Sequence, residues 1–302
     1  MAPERAAEEL RFDVGWGRLA ALHWKTAARA SHRLLAVHGW LDNAATFAGL
    51  AAALPDCEIL ALDLAGHGHS DWRGAGASYV LPEHLPDLVQ VLDALDWQDC
   101  IAIGHSMGGA IASLLAVAAP ERVRALVSID ALGPLSLPED DAPARLQRAL
   151  RARFEPSPRR RLFDSIASAC EQRARLNHLS PALALPLVER ALRQEGSGWI
   201  WAADPRLQLP SAVPMSEPQV QAVLRAIRQP CLVLAAEVPD PKLPRLSVEP
   251  RLACLPHAEA QRLPGGHHLH IAEAARVAAA IIDFIQRLPT AGAEAFADAL
   301  PA

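Results

Sequence analysis

Four short apolar runs, at residues 34–37, 59–62, 101–103 and 125–129, punctuate the first half of the chain, bounded by Gly, His and Asp. Continuous apolar runs of this length fit strands buried on both faces. Between them, residues 45–54, 83–95 and 108–118 repeat their apolar positions at helical spacing. Strand and helix in alternation predict a parallel sheet covered on both sides. Ahead of it, residues 11–24 alternate apolar and polar positions around Gly15 and Gly17, the pattern of an antiparallel hairpin leading into the sheet.

The rhythm changes at Gly133. From there to about Arg228 the chain reads as Pro-flanked amphipathic helices at 145–153, 162–176 and 181–194, with no buried strand among them. Strand-like runs return at 231–235 and 260–263. A last helix over 272–288 gathers Ile281, Ile282 and Ile285 on one face. The expected organisation is a core over 10–133 and 229–288, a helical insertion over 134–228, and an Ala-rich flexible tail over 289–302.

Composition narrows the class without choosing a chemistry. The chain has 302 residues, 51% hydrophobic and 21% charged, which is the profile of a soluble folded protein. A net charge of −5 argues against a nucleic-acid partner. The Arg-rich stretch 151–161 is read as a solvated helix face or loop, since Pro156 and Pro158 interrupt it. Five cysteines, widely spaced and without a C-x-x-C pair, favour reduced thiols and a cytoplasmic setting. Residues 1–9 lack the basic start and apolar run of a signal peptide, and no stretch approaches the ~18 apolar residues of a membrane span. Oligomeric state is not readable from these features.

The candidate chemistry sits at the strand ends. Gly104-His105-Ser106-Met107-Gly108-Gly109 lies between a predicted strand and a predicted helix, the context that makes G-x-S-x-G a nucleophile elbow. Its glycines allow a sharp turn that exposes the Ser106 hydroxyl at a helix N-terminus. A hydroxyl needs a base. His267, in Pro264-Gly265-Gly266-His267-His268-Leu269-His270, follows the last predicted strand and is the candidate; His268 and His270 are read as packing or surface residues. An oxyanion needs N–H donors, assigned to Met107 after the serine and to Trp40 in His38-Gly39-Trp40-Leu41-Asp42-Asn43. The letters His67-Gly68-His69-Ser70-Asp71 also fit the start of an H-x-H-x-D metal site, but Trp72 stands where that motif wants another histidine.

These segments, with Asp63-Leu64-Ala65-Gly66-His67-Gly68-His69-Ser70, resemble the α/β-hydrolase superfamily in order and spacing over nearly the whole chain. More closely, residues 38–47, Asn177-His178-Leu179-Ser180 and Asp204-Pro205-Arg206-Leu207 resemble the serine hydrolase-like branch. The resemblance implies a mostly parallel central sheet flanked by helices, an inserted helical cap over the active site, and no cofactor or metal. It implies hydrolysis of a small ester-type substrate through a Ser-His-Asp triad. A non-catalytic ligand-binding protein on the same fold, or a carbon–carbon bond hydrolase, is the alternative. Trp199 and Trp201 hint at an apolar pocket, although such residues more often pack the core of a cap than touch substrate.

The acid departs from the commonest family pattern, which places it in a G-x-x-D turn after the strand that follows the cap. Here that place reads Ala235-Ala236-Glu237-Val238-Pro239-Asp240, with the glycine missing. Asp130, ending the strand after the elbow helix, is the preferred acid; Asp240 and then Glu237 are the alternatives.

Overall fold

Period-two alternation inside the apolar runs sorts their side chains into two cores, one on each face of a single sheet. The computed structural model describes residues 5–26, 30, 32–155, 160–240, 248–255 and 257–288. The sheet strands are β1 (Glu8–Val14), β2 (Gly17–Trp24), β3 (His32–Val37), β4 (Cys57–Leu62), β5 (Cys100–His105) and β6 (Val123–Ile129); a separate ribbon of β7 (Leu192–Glu195) and β8 (Gly198–Trp201) precedes β9 (Cys231–Ala236) and β10 (Ala258–Leu263). The eight-stranded order is β1-β2-β4-β3-β5-β6-β9-β10, antiparallel where β2 meets its neighbours and parallel from β4 to β10.

The helices are α1 (Ala48–Ala53), α2 (Leu85–Ala94), α3 (Met107–Ala118), α4 (Ala142–Ala152), α5 (Ile166–Asn177), α6 (Pro181–Ala191), α7 (Glu217–Ala226), α8 (Val248–Leu252), α9 (Leu269–Ala272) and α10 (Ala274–Gln286). Leu35, Leu60, Ala102 and Leu126 face α2, α3 and α7, while Leu34, Ile59, Ile101 and Val127 face α1 and α10. The central runs 34–37, 59–62, 101–103 and 125–127 are thus apolar at every position because both faces are covered there.

Between β6 and β9 the chain leaves the sheet and builds a third, smaller core from Phe163, Ala169, Cys170, Ala174, Ala184, Val188 and Leu192, with Trp199 and Trp201 packed against it. Two expectations fail here. The helix expected to run through 194 ends at Ala191, and the chain turns back as the β7–β8 hairpin around Gly196, whose φ of 61° suits a two-residue turn. The helix expected from 162 begins at Ile166: Phe163 is bridged to Trp199, and the Ser165 side chain caps the helix by accepting from Ser168 N. The last helix expected over 272–288 is α10, Ala274–Gln286, with the short α9 ending just ahead of it at Ala272. The expected tail, 289–302, lies outside the described residues. None of the five cysteines is in a disulfide, and among the described residues no helix is long and apolar enough to cross a membrane.

Candidate active site

Ser106 occupies the single-residue turn from β5 into α3 at φ 52°, ψ −117°, a conformation that costs a non-glycine residue about 1–3 kcal/mol. Its surroundings explain why the flanking positions are glycine. A Cβ on Gly104 would lie 2.2 Å from the Gly108 carbonyl oxygen, and one on Gly108 would lie 1.9 Å from that of Val37. Strand and helix can therefore approach only without side chains there. The Ser106 amide still bonds Ile129 O at 3.0 Å, so the elbow remains anchored to β6.

Asp130 ends β6 one strand away, itself at a positive φ of 47°. Its amide bonds Leu234 O at 2.7 Å, and its Oδ1 accepts from Ala236 N at 2.9 Å. Its Oδ2 lies 2.6 Å from His267 Nδ1. A carboxylate at Nδ1 keeps the ring proton on that nitrogen and leaves Nε2 free to accept. The histidine loop, between β10 and α9, is docked on the elbow itself: His105 Nε2 donates to His267 O at 2.8 Å. Glu237 is exposed, and the carboxylate paired with the imidazole is that of Asp130.

The turn at 39–42 runs against the same elbow. A Cβ on Gly39 would come within 3.0 Å of His105 Nδ1 and 3.3 Å of Ser106 Cβ. Asp42 N closes the turn on Gly39 O at 3.1 Å, with Leu41 at φ 58°, and His38 Nδ1 donates to that same carbonyl at 2.7 Å. Leu41 N is taken up by His67 Nε2 at 3.3 Å. Trp40 N remains: like Met107 N, at the first position of α3, it donates to no other described residue. Its indole Nε1 reaches across to Leu207 O at 3.0 Å.

The surrounding histidines brace the loops of the site. His67 spends Nδ1 on Ala65 O at 3.0 Å, and His69 pairs with Glu9 at 2.9 Å, so the letters that fit a metal motif serve here to shape a loop. Burial takes His38 down to about 4 and His67 and His270 to about 3. Burial also pushes His105 well below the usual range, helped by the neighbouring imidazoles of His270, His267 and His268. Asp42 is the opposite case: burial alone would raise its carboxyl, but Arg173 and then His268 hold it well below the usual carboxylate range.

Several residues around the site have no role assigned to them from the sequence. Arg173 pairs with Asp42, His268 Nε2 approaches the same carboxylate at 3.6 Å, and Asn177 Nδ2 reaches His268 Nε2 at 3.1 Å. Asp63, fully buried, accepts from Ala44 N and His69 N at 2.8 Å and from Arg190 Nε at 2.9 Å. Of these, Asp42, Asp63 and Asn177 lie in segments that the family resemblance marks, and Arg173 shares with Asn177 an i, i+4 spacing on one helix.

The profile of the alpha/beta hydrolase fold family matches residues 33–274. A serine hydrolase-like protein of Danio rerio is 30% identical, the alignment covering 93% of this chain and 89% of the relative. A probable serine hydrolase of Drosophila melanogaster is 29% identical over 94% of this chain and 89% of its own. The crystal structure of a hypothetical protein from Pseudomonas aeruginosa superposes with a TM-score of 0.85 at 36% identity, covering 93% of this chain and 100% of that one.

Proposed function

The chain belongs to the α/β-hydrolase family, in its serine hydrolase-like branch, and on that premise we propose that it cleaves an ester, thioester or related acyl bond of a small apolar molecule through an acyl-enzyme on Ser106. In this reading the Ser106 hydroxyl attacks the acyl carbon as His267 Nε2 takes its proton, and Asp130 stabilises the imidazolium through Nδ1. The N–H groups of Trp40 and Met107 receive the developing oxyanion, a role for which a single donor is commonly worth about 10²–10³ in kcat. His267 then returns the proton to the leaving group, and a water activated by the same histidine releases the acyl chain. No metal or cofactor enters this scheme.

The excursion over 134–228 acts in this reading as a cap, and Trp199 and Trp201 serve its packing. Free thiols fit the reducing cytoplasm as its setting. The observation that carries the proposal is the Asp130–His267 pair docked on the residue preceding a strained, half-buried Ser106. A series of p-nitrophenyl esters of graded chain length, run beside a fluorophosphonate label, tests it. Wild type should label and turn over, and Ser106→Ala should do neither while keeping its circular dichroism. A wild type that neither labels nor cleaves any ester would instead be a ligand-binding protein on this fold.

A further inference from the structure

One helix of the excursion touches the residues that flank the candidate site. Arg173 and Asn177 lie one turn apart on α5 and so share a face. The Arg173 guanidinium grips Asp42, and Asn177 Nδ2 meets His268 Nε2 at 3.1 Å. Asp42 closes the turn that carries Trp40, and His268 is the chain neighbour of His267. The same carboxylate stands 3.6 Å from His268 Nε2 and 3.8 Å from His105 Nδ1, and His105 in turn holds the His267 carbonyl. One buried carboxylate therefore ties the Trp40 turn to α5 and faces the histidine loop, which His105 docks on the elbow.

We propose that Arg173 and Asn177 are positioning residues: through Asp42 and His268, α5 locks the Trp40 turn and the His267 loop into register with Ser106, so that the cap assembles the site as well as covering it. This rests on the reading of Ser106, His267 and Trp40 given above. The turn needs such a lock because Leu41 holds it at a positive φ that a leucine adopts only under constraint. Without Arg173, Asp42 becomes an unpaired buried charge, and swinging it toward water relieves the cost at the expense of the turn. Arg173 is not needed merely to fasten the excursion. Arg190 on Asp63, Tyr79 on Asp204 and the Trp40 indole on Leu207 O already do that.

The test uses Arg173→Met, Asn177→Ala and Asp42→Asn in the full chain, assayed with p-nitrophenyl acetate and with a long-chain ester. Arg173→Met should lose about a hundredfold in kcat, the order of one misplaced oxyanion donor, with KM within about twofold for both esters. Asn177→Ala should lose less in the same sense. Arg173→Lys should recover part of the loss, and the Arg173→Met, Asp42→Asn pair should be no worse than Asp42→Asn alone, because a neutral amide leaves no charge stranded. A rise in KM at unchanged kcat, or a loss confined to the long ester, would mean that α5 only covers the site. Hydrogen–deuterium exchange reads the lock without turnover: Arg173→Met should speed exchange at 38–43 and 264–268 and leave β7 and β8 unchanged. Unaltered exchange at both loops overturns the lock whatever the ester assays give, whereas a wild type inert to all esters with faster exchange in the variant overturns only the reaction.

Discussion

Replacing Asp130 by asparagine changes one atom of the carboxyl and leaves the shape of the site intact. Asp130 Oδ1 accepts from Ala236 N at 2.9 Å while Oδ2 faces His267 Nδ1 at 2.6 Å. The Ala236 N–H fixes an oxygen on its side, so an asparagine must turn its NH2 toward the imidazole. A donor there requires an unprotonated Nδ1, which moves the ring proton to Nε2 and removes the lone pair that would accept the Ser106 proton. In the serine-protease triad the same exchange costs about 10⁴ in kcat through the wrong tautomer, or about 5.5 kcal/mol of barrier at 1.36 kcal/mol per tenfold. The fold should survive, because Asp130 sits at φ 47° and asparagine is among the side chains most tolerant of that region. The measurement is kcat on p-nitrophenyl acetate for variants with native circular dichroism, with Asp240→Asn alongside and expected near wild type. An Asp130→Asn enzyme within tenfold of wild type, or a larger loss from Asp240→Asn, would refute the assignment.

Ser106→Gly should abolish turnover yet gain about 1 kcal/mol in urea unfolding, since relief of about 1–3 kcal/mol of strain at φ 52° exceeds the roughly 0.5–1 kcal/mol entropic cost of glycine; a net loss of stability would contradict the strained elbow. Gly108→Ala should cost about 3 kcal/mol or more, because its Cβ would sit 1.9 Å from the Val37 carbonyl and only backbone can move; an unchanged urea midpoint would speak against that contact. Acid should destabilise the protein early. His38, lowered by burial to about 4, and His67, His84 and His270, lowered to about 3, are neutral in the fold, whereas the unfolded chain protonates them near 6.5. Their contribution is complete above the unfolded value and falls as pH drops toward 3–4, by up to about 1.4 kcal/mol per histidine per pH unit, so a urea midpoint that stays flat between about pH 7 and about pH 5 would rule this out.

The sheet was legible because strands buried on both faces leave uninterrupted apolar runs, and the elbow was legible because close approach of β5 and α3 excludes every side chain larger than hydrogen. The β7–β8 hairpin was missed for a physical reason. Arg193, Gln194 and Glu195 are exposed and continue the polar face of α6, so period alone extends the helix through them. The signal that should have stopped it was Gly196 followed by Trp199, Ile200 and Trp201, a turn residue ahead of side chains that favour strands. Phe163 offered no such signal, since its bridge to Trp199 is made across the excursion. Asp42 and Arg173 stand 131 residues apart on a turn and a helix that no local pattern connects. Pairing of that kind is set by how the excursion packs back onto the sheet, which the order of polar and apolar residues does not encode.

In the proposed mechanism, the position of the acid follows from how the turn after β9 is used. In the commonest arrangement of the family the carboxylate would emerge there, but Glu237 N bonds Leu263 O at 2.9 Å and Val238 N bonds Gly265 O at 3.1 Å. These bonds splice the exit of β9 to the histidine loop, and Pro239 brings no further donor. The turn thus positions His267 rather than presenting an acid to it. β6 pairs with both β5 and β9, so its end lies between the elbow and that spliced loop. A residue there needs only a backbone twist to face the imidazole, and Asp130 supplies it with its positive φ while its amide stays on Leu234 O. The Ala236 N–H then holds the second carboxylate oxygen, so that, on the proposed assignment, the strand that would ordinarily bear the acid instead fixes the orientation of an acid borne by its neighbour.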